Sequence, residues 1–488
     1  MLRATYLIGF IISLTLSLSG CGNSSGSQTA GIDGSGEPVA TTTNGTIDGF
    51  GSVIVNGLRY NSDKAHILVN GETAMEDNLR VGYQVRIIGS IAADGLATAD
   101  KIEFTPTLVG TIEQIDLASN NLVLLGQQVH ITNNTIFDAT ISPNNITGLA
   151  IGNKILVSGS QAIDGSISAT RIDAISANQI QLLGFVRELD ENNNTFKLNQ
   201  QQVSFAAAQL TNVDNNRLQN GMLVTAMGML DTGKRLQATR ITKLNTQFSN
   251  SIKNADVEGF VTRFVSMTDF DVAGTRITTN AQTRYENGSA TSLMIGAKIE
   301  AKGKLDSTGK LVAEKIEFEP RSNNKLSGTV TSLQITNNIG IVTGQLELDG
   351  TRIQTTINTR YEDKGRSNVK RFNLGAIQVG DYLEITGYST DTGFIATKIE
   401  REETDEAMFE REFEGLVISI GVNTFTLFGR TITTDENTEF RDASRTRISA
   451  NTFFAQAVGK RVEVNVAQSN GVFLATRVEL EDDDILDF

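Results

Sequence analysis

The sequence predicts an all-β protein: tandem small five-stranded barrels, OB-like or similar, arranged as beads on a string. Three observations predict it. A glycine frame recurs six times, clearest from Met294 to Ile316 as MIGAKIEAKGKLDSTGKLVAEKI. Short blocks of Val, Ile, Thr and Phe alternate with Asn, Asp and Gly, which is strand-and-turn chemistry. Helix-favouring runs are scarce, with 45 Gly against 4 Pro and no Trp.

Each repeat opens on a Gly, one further residue and a branched residue: Gly45, Gly110, Gly184, Gly259, Gly328 and Gly415 start the six units. Uneven spacing with a preserved frame means loop insertions between fixed strands. The second strand alternates apolar and polar positions, as in Thr424-Phe425-Thr426-Leu427, so Phe425 and Leu427 share one face. A tight turn follows at Gly57, Gly126, Gly274, Gly350 and Gly429.

The third element holds an apolar residue and a second large residue eight positions apart. Examples are Ile277 with Tyr285, Ile353 with Tyr361 and Ile432 with Phe440; unit three departs, with Val203 followed by Thr211. This reads as a strand that bends in its polar middle and returns an aromatic to the core. The fourth strand lies between glycines seven residues apart: 82 and 89, 152 and 159, 221 and 228, 296 and 303, 380 and 387. In unit six Gly459 pairs instead with Val466. Glycine there suits a sharp turn, a bulge or close backbone packing. The fifth strand closes on Ala-x-x-Ile, from Ala99 and Ile102 through Ala396 and Ile399, with Ala475 and Val478 last. A basic residue precedes each final Ile or Val: Lys101, Arg171, Arg240, Lys315, Lys398 and Arg477. Two readings of these stay open, a basic stripe along one side or Lys/Arg protection of an edge strand.

The N-terminus is a different kind of sequence. Arg3 precedes an apolar run from Tyr6 to Leu18, shorter than a membrane span, and then Leu18-Ser19-Gly20-Cys21. This resembles the bacterial lipobox. The resemblance implies cleavage before Cys21, lipid on Cys21, and, because Gly22 rather than Asp follows, an outer-membrane destination facing either side. Several acyl chains would make attachment stable where one does not. Residues 23–43, rich in Gly, Ser and Thr, read as a flexible tether.

The Gly-x-Val opening, Gly-x-x-V-x-V-x-Gly middle and Ala-x-x-Ile close resemble the DUF5666 family of repeat domains, common in exported bacterial proteins and lipoproteins. The resemblance covers nearly all of Gly45 to Leu480, best in units one, four and five. It supplies shape and no catalytic residues. The expected organisation is a signal peptide at 1–20, lipidated Cys21 with its tether to 43, and repeats at 44–106, 107–176, 180–243, 256–319, 325–400 and 413–481. A charged linker at 401–412 and an acidic tail at 482–488 complete it.

Composition limits the chemistry. The net charge of −14 argues against a general grip on nucleic acid or anionic lipid. A calcium-loop spacing is absent. With one cysteine there is no intrachain disulfide, and with only His66 and His130 no His/Cys zinc cluster or repeated triad. No phosphate-loop motif occurs. No acidic pair recurs in the frame; Asp190-Glu191, Asp363 and Asp391 sit in turn-like contexts. The expectation is a non-catalytic, cofactor-free scaffold or adhesion-type binding protein of the cell envelope. It would be held to the membrane by lipid on Cys21 and meet a protein or glycan partner at its variable loops. An accessory that binds or processes envelope polysaccharide is the alternative.

Overall fold

A computed structural model describes residues 37–481, apart from 177–178, 246–247, 250, 321–323, 339–340, 366–368, 370, 391–392, 403–410 and 470. The signal peptide, Cys21, most of the tether, the centre of the charged linker, Asp391 and the acidic tail lie outside the described residues.

The described chain is all-β, six small five-stranded barrels in tandem. Unit four shows the plan. Its first strand, Asn254–Ser266, pairs antiparallel with the second, Asp269–Val272, and with the fourth, Lys298–Leu305. The second pairs with the third, Thr275–Thr278, and the third runs parallel to the fifth, Leu311–Phe318. The fourth and fifth pair antiparallel and close the ring. The order 1-2-3-5-4-1 is that of an OB-type barrel, which decides between the small-barrel alternatives.

The third element breaks where its polar middle predicts. After Thr278 the chain leaves the sheet and returns at Arg284–Glu286, again parallel to the fifth strand. Thr283, two residues before Tyr285, fixes the break. Its hydroxyl accepts from the Asn280 N–H at 3.0 Å and donates to the Ala313 carbonyl at 2.6 Å. Thr135, Thr359 and Thr438 make the same two bonds in units two, five and six. Units one and three carry His66 and Gln209 at that offset and lack the device.

Ala-x-x-Ile places two core residues three apart, which a regular strand forbids, since side chains alternate between faces. A bulge resolves it. In all six units the register between fourth and fifth strands slips at one place, Lys302/Gly303 in unit four, leaving Glu314 unpaired. A Cβ on Gly303 would lie 2.1 Å from the Val312 carbonyl oxygen. At Gly89, Gly159, Gly228 and Gly387 the corresponding distance is 2.0 to 2.2 Å. Unit six keeps the slip with Val466, whose side chain is buried in the core shared with unit five.

Units join through their first strands. Thr41–Asn44 of unit one runs parallel to Asn254–Val257 of unit four. Leu108–Val109 of unit two pairs antiparallel with Gln181–Leu182 of unit three, and Lys325 of unit five with Glu414 of unit six. Units two and three share one apolar core, as do five and six; one and four have separate cores.

Three sequence expectations are corrected here. Val39–Thr43, expected in the tether, is the start of the first strand, Val39–Gly49, with Thr41 to Thr43 buried. The stretch left between the expected repeats at 180–243 and 256–319 contributes Phe248 and Ile252 to the core of unit four. Arg401 and Glu402, expected in the linker, end the fifth strand of unit five, and Arg411–Glu412 begin the first strand of unit six.

Gly303→Ala forces a methyl into the Val312 carbonyl and is expected to cost about 1–3 kcal/mol locally. Hydrogen exchange of the fourth and fifth strands of unit four measures it. Thr283→Val keeps shape but strands a buried N–H and carbonyl, and should cost about 1–3 kcal/mol in the same segment. Amides of unit two serve as the unaffected reference in both experiments.

Candidate functional site

The frame's basic residues form neither a stripe nor an edge guard. The fifth strand is interior, paired on both sides, as Ala97–Phe104 is with Gln84–Ile91 and with the two halves of the third element. Each basic residue is neutralised. Lys101 pairs with Glu103 at 2.6 Å, Lys315 with Glu317 at 2.6 Å and Lys398 with Glu400 at 2.9 Å, each two residues on along one strand face. Arg171 pairs with Asp173 at 2.6 Å, Arg240 with Glu72 at 3.6 Å and Arg477 with Glu463 at 2.9 Å.

Several of these pairs join units. Buried Arg171 of unit two donates to the Val81 carbonyl of unit one at 3.2 Å and meets Glu362 of unit five at 3.6 Å. Tyr83 of unit one donates to Asp173 at 2.5 Å. Lys398 of unit five donates to the Thr135 carbonyl of unit two at 3.2 Å. Arg360 of unit five reaches Asp48 of unit one at 2.9 Å, and Glu258 of unit four accepts from the Thr46 N–H at 2.9 Å. A small open cavity of about 110 Å³ lies among these junctions, lined by residues of units one, two, four and five.

Burial sets the charge states. Desolvation pushes the Asp48 carboxyl up to about 7 against the attraction of Arg360, with Glu258 adding to the rise. Desolvation raises Glu362 to about 7 against Arg171, and Glu402 to about 7 against Lys364. At Glu400 desolvation is outweighed by Lys364 and Lys398, which hold it at about 2.

The other expected site residues are structural. His66 is exposed on a strand and 3.3 Å from the Thr73 hydroxyl; His130, in another unit, bonds Asn121. Asp190 accepts the Asn192 and Asn193 N–H groups, the turn role expected of it, and Glu191 pairs with Arg217. Asp363 ends its strand and keeps its expected turn role, accepting the Gly365 N–H at 3.2 Å, while taking on a second one. It is buried in a strand, gripped by both nitrogens of the Arg401 fork at 2.9 and 2.7 Å, and accepts the Val369 N–H. Among the described residues no group of three His, Cys, Asp or Glu is placed to hold a metal ion. No described helix is long and apolar enough to cross a membrane, which says nothing about strands.

A groove of about 750 Å³ lies between units three and four. That volume is in the range of small-molecule sites. Unit three contributes Phe185 and Arg187 from its first strand and Asn220 from the turn before its fourth. Unit four contributes Asp271 and Arg276 from strands two and three, and Thr308 and Gly309 from the loop between strands four and five. Arg263 lies alongside, clamped by Asp269 at 2.6 Å and Asp271 at 2.7 Å. Phe248 forms part of the lining. The lining has two aromatic rings, guanidinium and amide donors and two carboxylates, but no histidine, Ser-base pair or cysteine. This is the chemistry of a binding surface for polar, planar or acidic groups. The sequence reading missed the groove because its walls come from two units whose placement has no local signal.

Because Asp48, Glu362 and Glu402 bind protons more tightly folded than unfolded, where carboxyls titrate near 4, their stabilising effect is complete below that range. It is lost as pH rises through about 7. The thermal midpoint is therefore expected to fall between pH 5.5 and pH 8, and Asp48→Asn to make that decline shallower. Calorimetry across that interval checks both.

A comparison with curated proteins finds no match. The family model described as a domain of unknown function, DUF5666, matches six segments: residues 43–103, 109–173, 183–242, 258–317, 327–400 and 414–479. Every segment carries the bulge between fourth and fifth strands, and together they span most of the chain, which belongs to the DUF5666 family as six tandem copies of its domain.

Proposed function

We propose that this protein is a non-catalytic binding scaffold of the bacterial cell envelope, tethered by lipid on Cys21. The observation that carries the scaffold reading is the fate of the repeated positions. The frame's glycines and alanines make the bulge, and its cations are spent in ion pairs within and between units. No repeated position is left over to perform a reaction six times. Recognition then falls to features that occur once, above all the groove between units three and four.

The groove favours one partner chemistry. OB-type barrels bind extended polymers across strands two and three and the loop between strands four and five. Unit four presents those elements to the groove through Asp271, Arg276, Thr308 and Gly309. Phe185 supplies a ring face for a sugar or side chain, and Arg187 and Arg276 supply donors for carboxylates. An acidic envelope glycan or an acidic peptide segment fits this lining. Nucleic acid is disfavoured by the net charge of −14.

Two measurements test the reading. Metabolic palmitate labelling should mark the wild-type chain and not Cys21→Ser, which should leave the membrane fraction; labelling that survives the substitution contradicts the anchor. Binding to purified envelope polysaccharide and to acidic peptides should weaken about tenfold in a Phe185→Ala, Arg276→Ala double variant with unchanged thermal midpoint. Turnover of either polymer by the purified chain would contradict the non-catalytic reading.

A further inference from the structure

The first strand of unit six is split in two where the other five are continuous, and, as in units two to five, its second half pairs only with the second strand. Its Arg411–Leu416 half pairs with the fourth strand, Arg461–Ser469. Its second half, Ser419–Gly421, pairs along one side only, with Thr424–Leu427, and ends its sheet. The other edge of Ser419–Gly421 has no strand neighbour among the described residues.

That edge is apolar. Leu416, Ile418, Ile420 and Val422 occupy alternate positions and are 47%, 65%, 44% and 92% exposed. Val417, between them, is buried in the core. Val458 is also exposed and adjoins the strand, since the next residue, Gly459, donates its N–H to the Val417 carbonyl at 2.9 Å. From Leu416 to Phe428 the chain carries no charge and no proline. Units two to four each place a charge in the corresponding stretch, Glu113, Arg187 and Arg263; unit five, at 331–338, has none, and Asp48 of unit one is buried. Native edge strands are normally guarded by charge, proline or a covering element. An unguarded, uncharged segment of high strand propensity is a template for another strand.

We propose that this edge is a self-association site, at which two copies of the chain pair their unit-six first strands antiparallel about a two-fold axis. The occupant follows from how the chain already joins its own barrels. Three times, first strand meets first strand, and two of those pairings are antiparallel. An antiparallel pairing of identical strands is self-complementary and closes at two copies rather than growing into a fibre. Charge points the same way. Each copy carries −14, so contact through most of the surface opposes like charges, while this stretch opposes none.

Sedimentation velocity on the full chain, carrying Cys21→Ser so that lipid cannot drive clustering, tests the proposal. The expected result is a monomer–dimer equilibrium over the micromolar range. Ile418→Lys and Ile420→Lys, at exposed positions that leave the core intact, should each weaken it at least about tenfold. Hydrogen exchange at residues 418–422 should slow with rising concentration in the parent and not in either variant. A parent that stays monomeric throughout overturns the proposal, as does a dimer indifferent to both substitutions or one without concentration-dependent protection at 418–422.

Discussion

A slip between fourth and fifth strands governs each barrel, and in five of the six it rests on the close approach of one carbonyl to one glycine. A five-stranded sheet closes only if its strands coil sharply, and a bulge is the economical way to coil a strand. Here the bulge sits in the fifth strand between a core Ala and a core Ile, and the carbonyl of the residue before that Ala occupies the space where a side chain of the fourth strand would begin. Glycine at that point and alanine opposite are consequences of one geometry. The threonine that holds the broken third element donates to the carbonyl of that same alanine, so bulge and break are tied together.

With curvature fixed, the outward positions of the strands are available for other uses, and they join barrels. The cation before the final Ile faces outward beside the bulge, where its partner is an acidic residue of its own unit or, for Arg240, of unit one, and Arg171 and Lys398 also meet groups of other units. Burial of such charges is costly unless each is matched. The excess of carboxyls at the junctions is accommodated by protonation, which couples the packing of the barrels to pH. A protein built this way commits its repeated chemistry to cohesion.

Much of the barrel was legible in the sequence because its signals are local. Alternation in Thr424–Leu427, the turn at Gly274 and the paired glycines around Lys298–Gly303 read directly into strands and bends. Ala-x-x-Ile also announced a bulge, since spacing of three cannot keep one face of a regular strand, but the spacing was read as a motif and not as a break in period. The threonine two residues before Tyr285 was equally visible and unread, because its role depends on a carbonyl 30 residues away. Lys315 and its equivalents were misread for the opposite reason. A basic residue at a strand end looks the same at an edge and in the interior, and only pairing distinguishes them. The union of units one and four, across two intervening repeats, has no local signature, nor has the groove it helps to place.

The central claim is that one barrel geometry, repeated six times, is joined first strand to first strand. Hydrogen exchange of the full chain addresses it most directly at residues 41–44 and 254–257, which are distant in sequence and differ in local composition. The account predicts that both segments exchange slowly and lose protection together when Asp256→Pro removes an N–H that faces the unit-one strand. Exchange of 41–44 at the rate of the surface loops, or protection there that ignores the substitution, would contradict it.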